Sequence, residues 1–190
     1  MKLKFLILFG ALSLGACGHS PQTRFYTLNA APETSAAAPT YAGPSLHLAA
    51  LTIPVVFDRP EIARDTGEAQ ISVDEFSHWG GSLDALLRNA LQSNLVATLP
   101  VGKLALDVAD RQPDTQEISV TVLSIRSTGE GTMMDVLWTQ SGKDATGTRT
   151  NLTHKAHLNV AGGGATPSAY SESLAALMTQ LAAAIEEGVS

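Results

Sequence analysis

Cys17 is the one thiol in the chain, and its setting fits a single kind of chemistry. It follows Leu14-Gly15-Ala16, which closes a leader with Lys2 and Lys4 at its start and an apolar run from Phe5 to Leu14. A basic start, a short apolar middle and small residues before the cut describe a secretory signal. A cysteine directly after the small residues makes it a bacterial lipoprotein signal. The thiol is then acylated with a diacylglycerol group, cleavage frees Cys17 as the new N-terminus, and a further chain, commonly palmitate, is added there. Several acyl chains hold a protein stably on a membrane, whereas one is marginal. A spanning helix needs about 20 apolar residues, and the run here is shorter. Gly18, in place of the aspartate that retains such proteins in the inner membrane, directs the expectation to the outer membrane, facing the periplasm.

The other reactive groups do not assemble into a site. His154 and His157 would share a helix face at that spacing but fall on opposite faces of a strand, so a zinc site is not expected. Gly80-Gly81-Ser82-Leu83-Asp84 lacks the second glycine that a nucleophile elbow requires and reads as a loop feeding a helix cap. Gly129-Glu130-Gly131 precedes a strand rather than a helix, which excludes a phosphate-cradling turn. Asp74-Glu75 and Glu186-Glu187 read as solvated faces. No enzyme activity, metal or cofactor is expected, apart from covalent lipid on Cys17.

Charge narrows the partners. The chain has 12 lysines and arginines against 18 acids, a net charge of −6, and loss of residues 1–16 makes it −8 because Lys2 and Lys4 go and no acid does. Nucleic-acid binding, which needs clustered cations, is disfavoured. With its cysteine lipidated the chain has no disulfide.

The elements that must carry any function follow from periodicity. Residues 17–23 form a lipidated tether of at most ~25 Å, and residues 24–190 form one α+β domain. Arg24-Phe25-Tyr26-Thr27-Leu28 reads as a strand and Ala30–Pro44 as a surface loop. Leu46–Ile53 reads as a strand ended by Pro54. Asp58–Arg64, a turn at Thr66-Gly67, and Ala69–Val73 read as a hairpin or a pair of short edge strands. Ser82 is the expected N-cap of a helix whose apolar stripe runs from Leu83 through Leu95 to Pro100. Three alternating segments around Ile118–Val122, Met134–Trp138 and Leu152–Val160 predict an antiparallel meander. Thr166-Pro167 opens a last helix with Tyr170, Leu174, Leu177, Met178, Leu181 and Ile185 on one stripe and Gly188 as its expected end. The sum is a two-layer α+β sandwich, a mainly antiparallel sheet packed by two amphipathic helices.

Arg59, Arg64, Phe76, His78 and Trp79 cluster in segments expected at the surface, and arginine and aromatic residues outside a core favour protein interfaces. The alternative is that Phe76 and Trp79 cover the start of the Ser82 helix as a staple.

Phe25-Tyr26-Thr27-Leu28 soon after Cys17, Ile53-Pro54 leading to Asp58-Arg59-Pro60-Glu61-Ile62 and Arg64, and Trp79 before the Leu83–Leu99 helix together resemble the PqiC/YmbA family of ABC-type transport auxiliary lipoproteins. Gly80-Gly81 departs from the polar or acidic residues usual in that family after the tryptophan. The resemblance implies a non-enzymatic outer-membrane lipoprotein of an MCE-type (Pqi-like) intermembrane lipid transport system supporting envelope integrity. Its partners would be a PqiB-like MCE-domain protein and an inner-membrane permease system, met through Asp58, Arg59, Pro60, Arg64, Phe76 and Trp79, with a homo-oligomeric ring possible. Two other readings stay open. One is a lipid carrier with an acyl cavity lined by Leu87, Leu91, Val136 and Trp138; the other is a stand-alone envelope-assembly lipoprotein.

Overall fold

The computed structural model describes residues 21–29, 41–143, 146–162 and 164–189. Cys17 with its leader, most of the Ala30–Pro44 loop and Ser190 lie outside the described residues. The strands are β1 (Arg24–Tyr26), β2 (Leu46–Thr52), β3 (Glu61–Gly67), β4 (Gln70–Trp79), β5 (Leu104–Ala105), β6 (Gln116–Ser127), β7 (Gly131–Lys143) and β8 (Arg149–Ala161). The helices are α1 (Leu83–Thr98) and α2 (Pro167–Val189), and short 3-10 turns lie at Val55–Phe57 and Val108–Asp110.

The fold class is α+β, and the sheet is mixed. β6, β7 and β8 form the expected antiparallel meander, and β3 and β4 form an antiparallel hairpin. Parallel pairings join them: β1 to β4, β2 to β5, and β2 and β3 to β6. β7 occupies one edge of β6 along nearly its whole length, so β2 and β3 share the other, β2 along Gln116–Thr121 and β3 at Arg126. The β3–β4 hairpin, α1 and β5 intervene between β2 and β6 and return the chain for parallel pairing, which the period of each strand by itself does not reveal. β3 and β4 are thus interior strands, and only the three-residue β1 stands at that edge.

A bulge between Val122 and Ser124 keeps β6 aimed at the core. Before it the inward residues are Gln116, Ile118, Val120 and Val122; after it they are Ile125 and Ser127, with Leu123 left exposed. Leu83, Leu87, Leu91 and Leu95 of α1 and Tyr170, Leu174, Leu177, Met178, Leu181 and Ile185 of α2 join these strands in one core cluster. Each such large side chain contributes about 1.5–3 kcal/mol on burial.

Four sequence expectations need correction. The β3–β4 turn falls at Glu68-Ala69, two residues past the predicted Thr66-Gly67, and both residues take positive φ (54° and 58°). Ser82 holds the N-cap position of α1, but its hydroxyl bonds the Asp84 side chain rather than a backbone amide. Gly188 does not end α2; it lies within the helix, and a Cβ there would come within 2.7 Å of Trp138. Leu152, expected on the buried face, is 50% exposed. The start of α2 matches: Pro167 is its first residue, and the Ala169 amide donates to Thr166 Oγ1 at 3.3 Å. Among the described residues no helix is long and apolar enough to cross a membrane.

Candidate functional site

Register brings together residues that are far apart in sequence. Phe25 of β1 stands opposite His78 of β4, and Glu61 of β3 stands opposite His78 from the other side. Opposed residues share a sheet face, and Phe76 lies two positions before His78, where the β3–β4 register is interrupted. Phe25 is 71% exposed and Phe76 43%. The Phe25 ring meets the His78 imidazole edge-on, centroids 5.8 Å apart. Arg59 Nε donates to Glu61 Oε2 at 3.0 Å, and this bond, with a smaller contribution from His78, holds the Glu61 carboxyl below the usual carboxylate range. The loop feeding β3 exposes Val55 and Val56 beside exposed Asp58, Arg59 and Pro60. Exposed aromatic and arginine residues are what protein interfaces favour.

The six residues singled out from sequence divide. Asp58, Arg59, Pro60 and Phe76 are at the surface. Trp79 is 4% exposed, on the opposite face of β4, with its ring 6.1 Å from that of Tyr170 in α2. It cannot meet a partner, and its amide donates to the Pro60 carbonyl at 2.8 Å, which holds the Pro60 loop in place. Arg64 is a clamp rather than a surface cation: Nη1 donates to the carbonyls of Gly164 and Ala165 at 2.6 and 2.7 Å, tying β3 to the approach of α2. Phe25 and Glu61 enter instead of these two, beside His78, which the sequence already placed in the cluster. Their common signal in the sequence is an alternation within each strand, but only the β1–β4 and β3–β4 registers unite them. Gly80 has a visible reason: its amide donates to Tyr26 O at 2.7 Å, and a Cβ would stand 3.3 Å from that oxygen.

The histidines of β8 serve structure. His154 faces inward against Trp138, while His157 faces outward with Nδ1 2.7 Å from Asp135 Oδ1. Ser124 Oγ donates to the other oxygen of the same carboxylate at 3.0 Å. Both bonds hold the Asp135 carboxyl below its usual range, His157 contributing most. Because the imidazole is bonded to the carboxylate and not to the hydroxyl, it is not placed to take the serine proton. Among the described residues no group of three His, Cys, Asp or Glu is placed to hold a metal ion.

The family model for the ABC-type transport auxiliary lipoprotein component matches residues 26–186. This chain belongs to that family. The matched span of this auxiliary lipoprotein runs from Tyr26 in β1 to Glu186 near the end of α2, so α1, nearly all of α2 and strands β2–β8 lie inside it. The family is defined as a transport component and not as an enzyme. No curated protein matches the chain. A solved structure of an uncharacterized protein matches with TM-score 0.69 at 17% identity, over 90% of this chain and 100% of its own. A protein from Xanthomonas campestris matches with TM-score 0.61 at 11% identity, over 85% of this chain and 92% of its own. At such identities these two likenesses concern the fold alone.

Proposed function

We propose that this auxiliary lipoprotein is anchored through acylated Cys17 at the outer membrane, faces the periplasm, and docks the far end of a periplasm-spanning MCE-domain protein in an intermembrane lipid transport system. The observation that carries this reading is the Phe25–His78–Glu61 row, in which Phe25 is exposed and His78 and Glu61 are half-buried, with exposed Phe76 and Arg59 nearby in the chain, built on the edge strand that the tether enters. A short tether and a docking face at the same sheet edge hold the partner near the membrane. Several copies around a ring-shaped partner would repeat that contact by symmetry.

The carrier alternative is less well supported. Leu87, Leu91, Val136 and Trp138 are 0, 0, 0 and 2% exposed within one core cluster, so an acyl cavity there would require parting the helices from the sheet.

Affinity capture from membranes in gentle detergent, with the chain tagged after Ser190, tests the docking role. Wild type is expected to recover an MCE-domain protein and Arg59→Glu or Phe25→Ser to lose it. Recovery of no such protein, or equal recovery by the variants, would remove this reading in favour of a stand-alone envelope lipoprotein. Cys17→Ala is expected to leave a folded domain that is absent from the outer-membrane fraction; normal fractionation would sink the anchor assignment.

A further inference from the structure

A cleft of about 420 Å³ opens where β6 begins, β7 ends and β8 begins. Arg111, Lys143 and Arg149 line it, together with the donors Thr115, Ser141 and Asn151. Among the described lining residues the one carboxylate is Glu117, bonded by Arg111 Nη1. The described lining therefore carries two positive charges in excess, in a chain whose net charge is −6.

Two independent features make this cluster incomplete as it stands. Lys143 and Arg149 are directly opposed in the β7–β8 register, a position where like charges on antiparallel strands repel. Neither forms an ion pair among the described residues. Arg111 Nε is buried and has no hydrogen-bond partner. An anion seated in the cleft would relieve the Lys143–Arg149 repulsion.

We infer that this cleft is a binding site for a phosphate-bearing anion, with Arg111, Lys143 and Arg149 as its cationic wall. Guanidinium groups match phosphate oxygens with paired, charge-assisted hydrogen bonds. The volume lies in the range of small-molecule sites, roughly 300–1,000 Å³, and leaves room for an organic substituent on the phosphate. A phospholipid head and a free phosphate both present this chemistry. The inference is independent of the docking face and of the Cys17 anchor, since it uses none of their residues.

The test is calorimetric titration of the detergent-solubilised full chain at fixed ionic strength with four probes: inorganic phosphate, glycerol 3-phosphate, dihexanoyl phosphatidic acid and dihexanoyl phosphatidylcholine. The phosphate monoesters are expected to bind, and Arg149→Gln to weaken them roughly tenfold or more with the melting temperature retained. Tighter binding of phosphatidic acid supports the site with a lipid head as source; equal or tighter binding of inorganic phosphate supports it with free phosphate as source. Arg149→Glu keeps the inference testable by a second route, because it turns the opposed pair attractive. That variant is expected to melt higher at low salt while losing the ligand. Phosphate probes binding no better than chloride of equal ionic strength, affinity unchanged in Arg149→Gln, or phosphatidylcholine binding as tightly as phosphatidic acid would each overturn the inference.

Discussion

The Trp138 indole lies flat against the His154 imidazole, ring centroids 3.9 Å apart and planes within 7°. The two residues are directly opposed on β7 and β8, and the last turn of α2 closes over them at Gly188. This contact explains both misread positions at that end of the fold. Gly188 is in the helix because the indole occupies the space a side chain would need. Leu152, the next inward position on β8 beyond His154, is exposed because α2 ends at Val189.

Gly188→Ala should destabilise the protein. Helix propensity alone would favour alanine by about 0.5–1 kcal/mol, but its Cβ would stand 2.7 Å from two indole carbons. Overpacking of this kind costs about 1–3 kcal/mol, so a lower melting temperature is expected, and a higher one would refute the contact.

Trp79→Ala and Arg59→Glu should separate stability from docking. Removing the buried Trp79 leaves a cavity beside Tyr170 and should cost about 3–5 kcal/mol. Arg59 is a surface residue, and its reversal should move stability by no more than about 0.5 kcal/mol while reducing partner capture. Melts run beside capture assays check this; a Trp79→Ala protein of wild-type stability would contradict its placement.

Arg64→Ala should loosen the start of α2. It removes two hydrogen bonds from a charged donor to the Gly164 and Ala165 carbonyls, each worth about 1.5–3 kcal/mol. The Tyr170 amide, which bonds the Thr166 carbonyl in that first turn, should exchange its hydrogen faster in the variant. Unchanged exchange there would show that the clamp is not needed.

Asp135→Asn tests the outer-face network by pH. The folded Asp135 carboxyl lies below its ordinary 3.8, so its contribution is present above that value and is lost as pH falls through the folded value. The pair is exposed, and screening limits the effect to at most ~0.5 kcal/mol. Urea midpoints of wild type and variant should differ near pH 7 and converge in acid as the pH falls through the folded value; a gap that persists in acid would exclude the carboxylate as its cause.

Glu68→Asn with Ala69→Gly should stabilise the β3–β4 hairpin. Both native residues hold positive φ, a conformation costing roughly 1–2 kcal/mol per ordinary residue and met by Asn-Gly in two-residue hairpins. A gain of about 1 kcal/mol in urea unfolding is expected, after the greater unfolded-state freedom of glycine is offset. An unchanged or lower midpoint would refute the strain.

Local pattern alone determined much of this protein. The alternation in Ile118–Val122 and Met134–Trp138 marked two strands of the meander with their buried faces. The stripe from Tyr170 to Ile185 marked α2, and the Asp58–Ile62 and Trp79 segments marked the family. Those signals are short-range, because side-chain direction repeats every two residues in a strand and every 3.6 in a helix. Which strands become neighbours is set instead by contacts between distant segments. Only the tertiary structure decided that β2 and β3 share one edge of β6, that Trp79 turns into the core while His78 faces out beside Phe25, and that Lys143 and Arg149, paired on β7 and β8, line one cleft. A one-residue change of register reverses which face every side chain takes, so the docking row could be assembled from its residues only after the strand pairings were known.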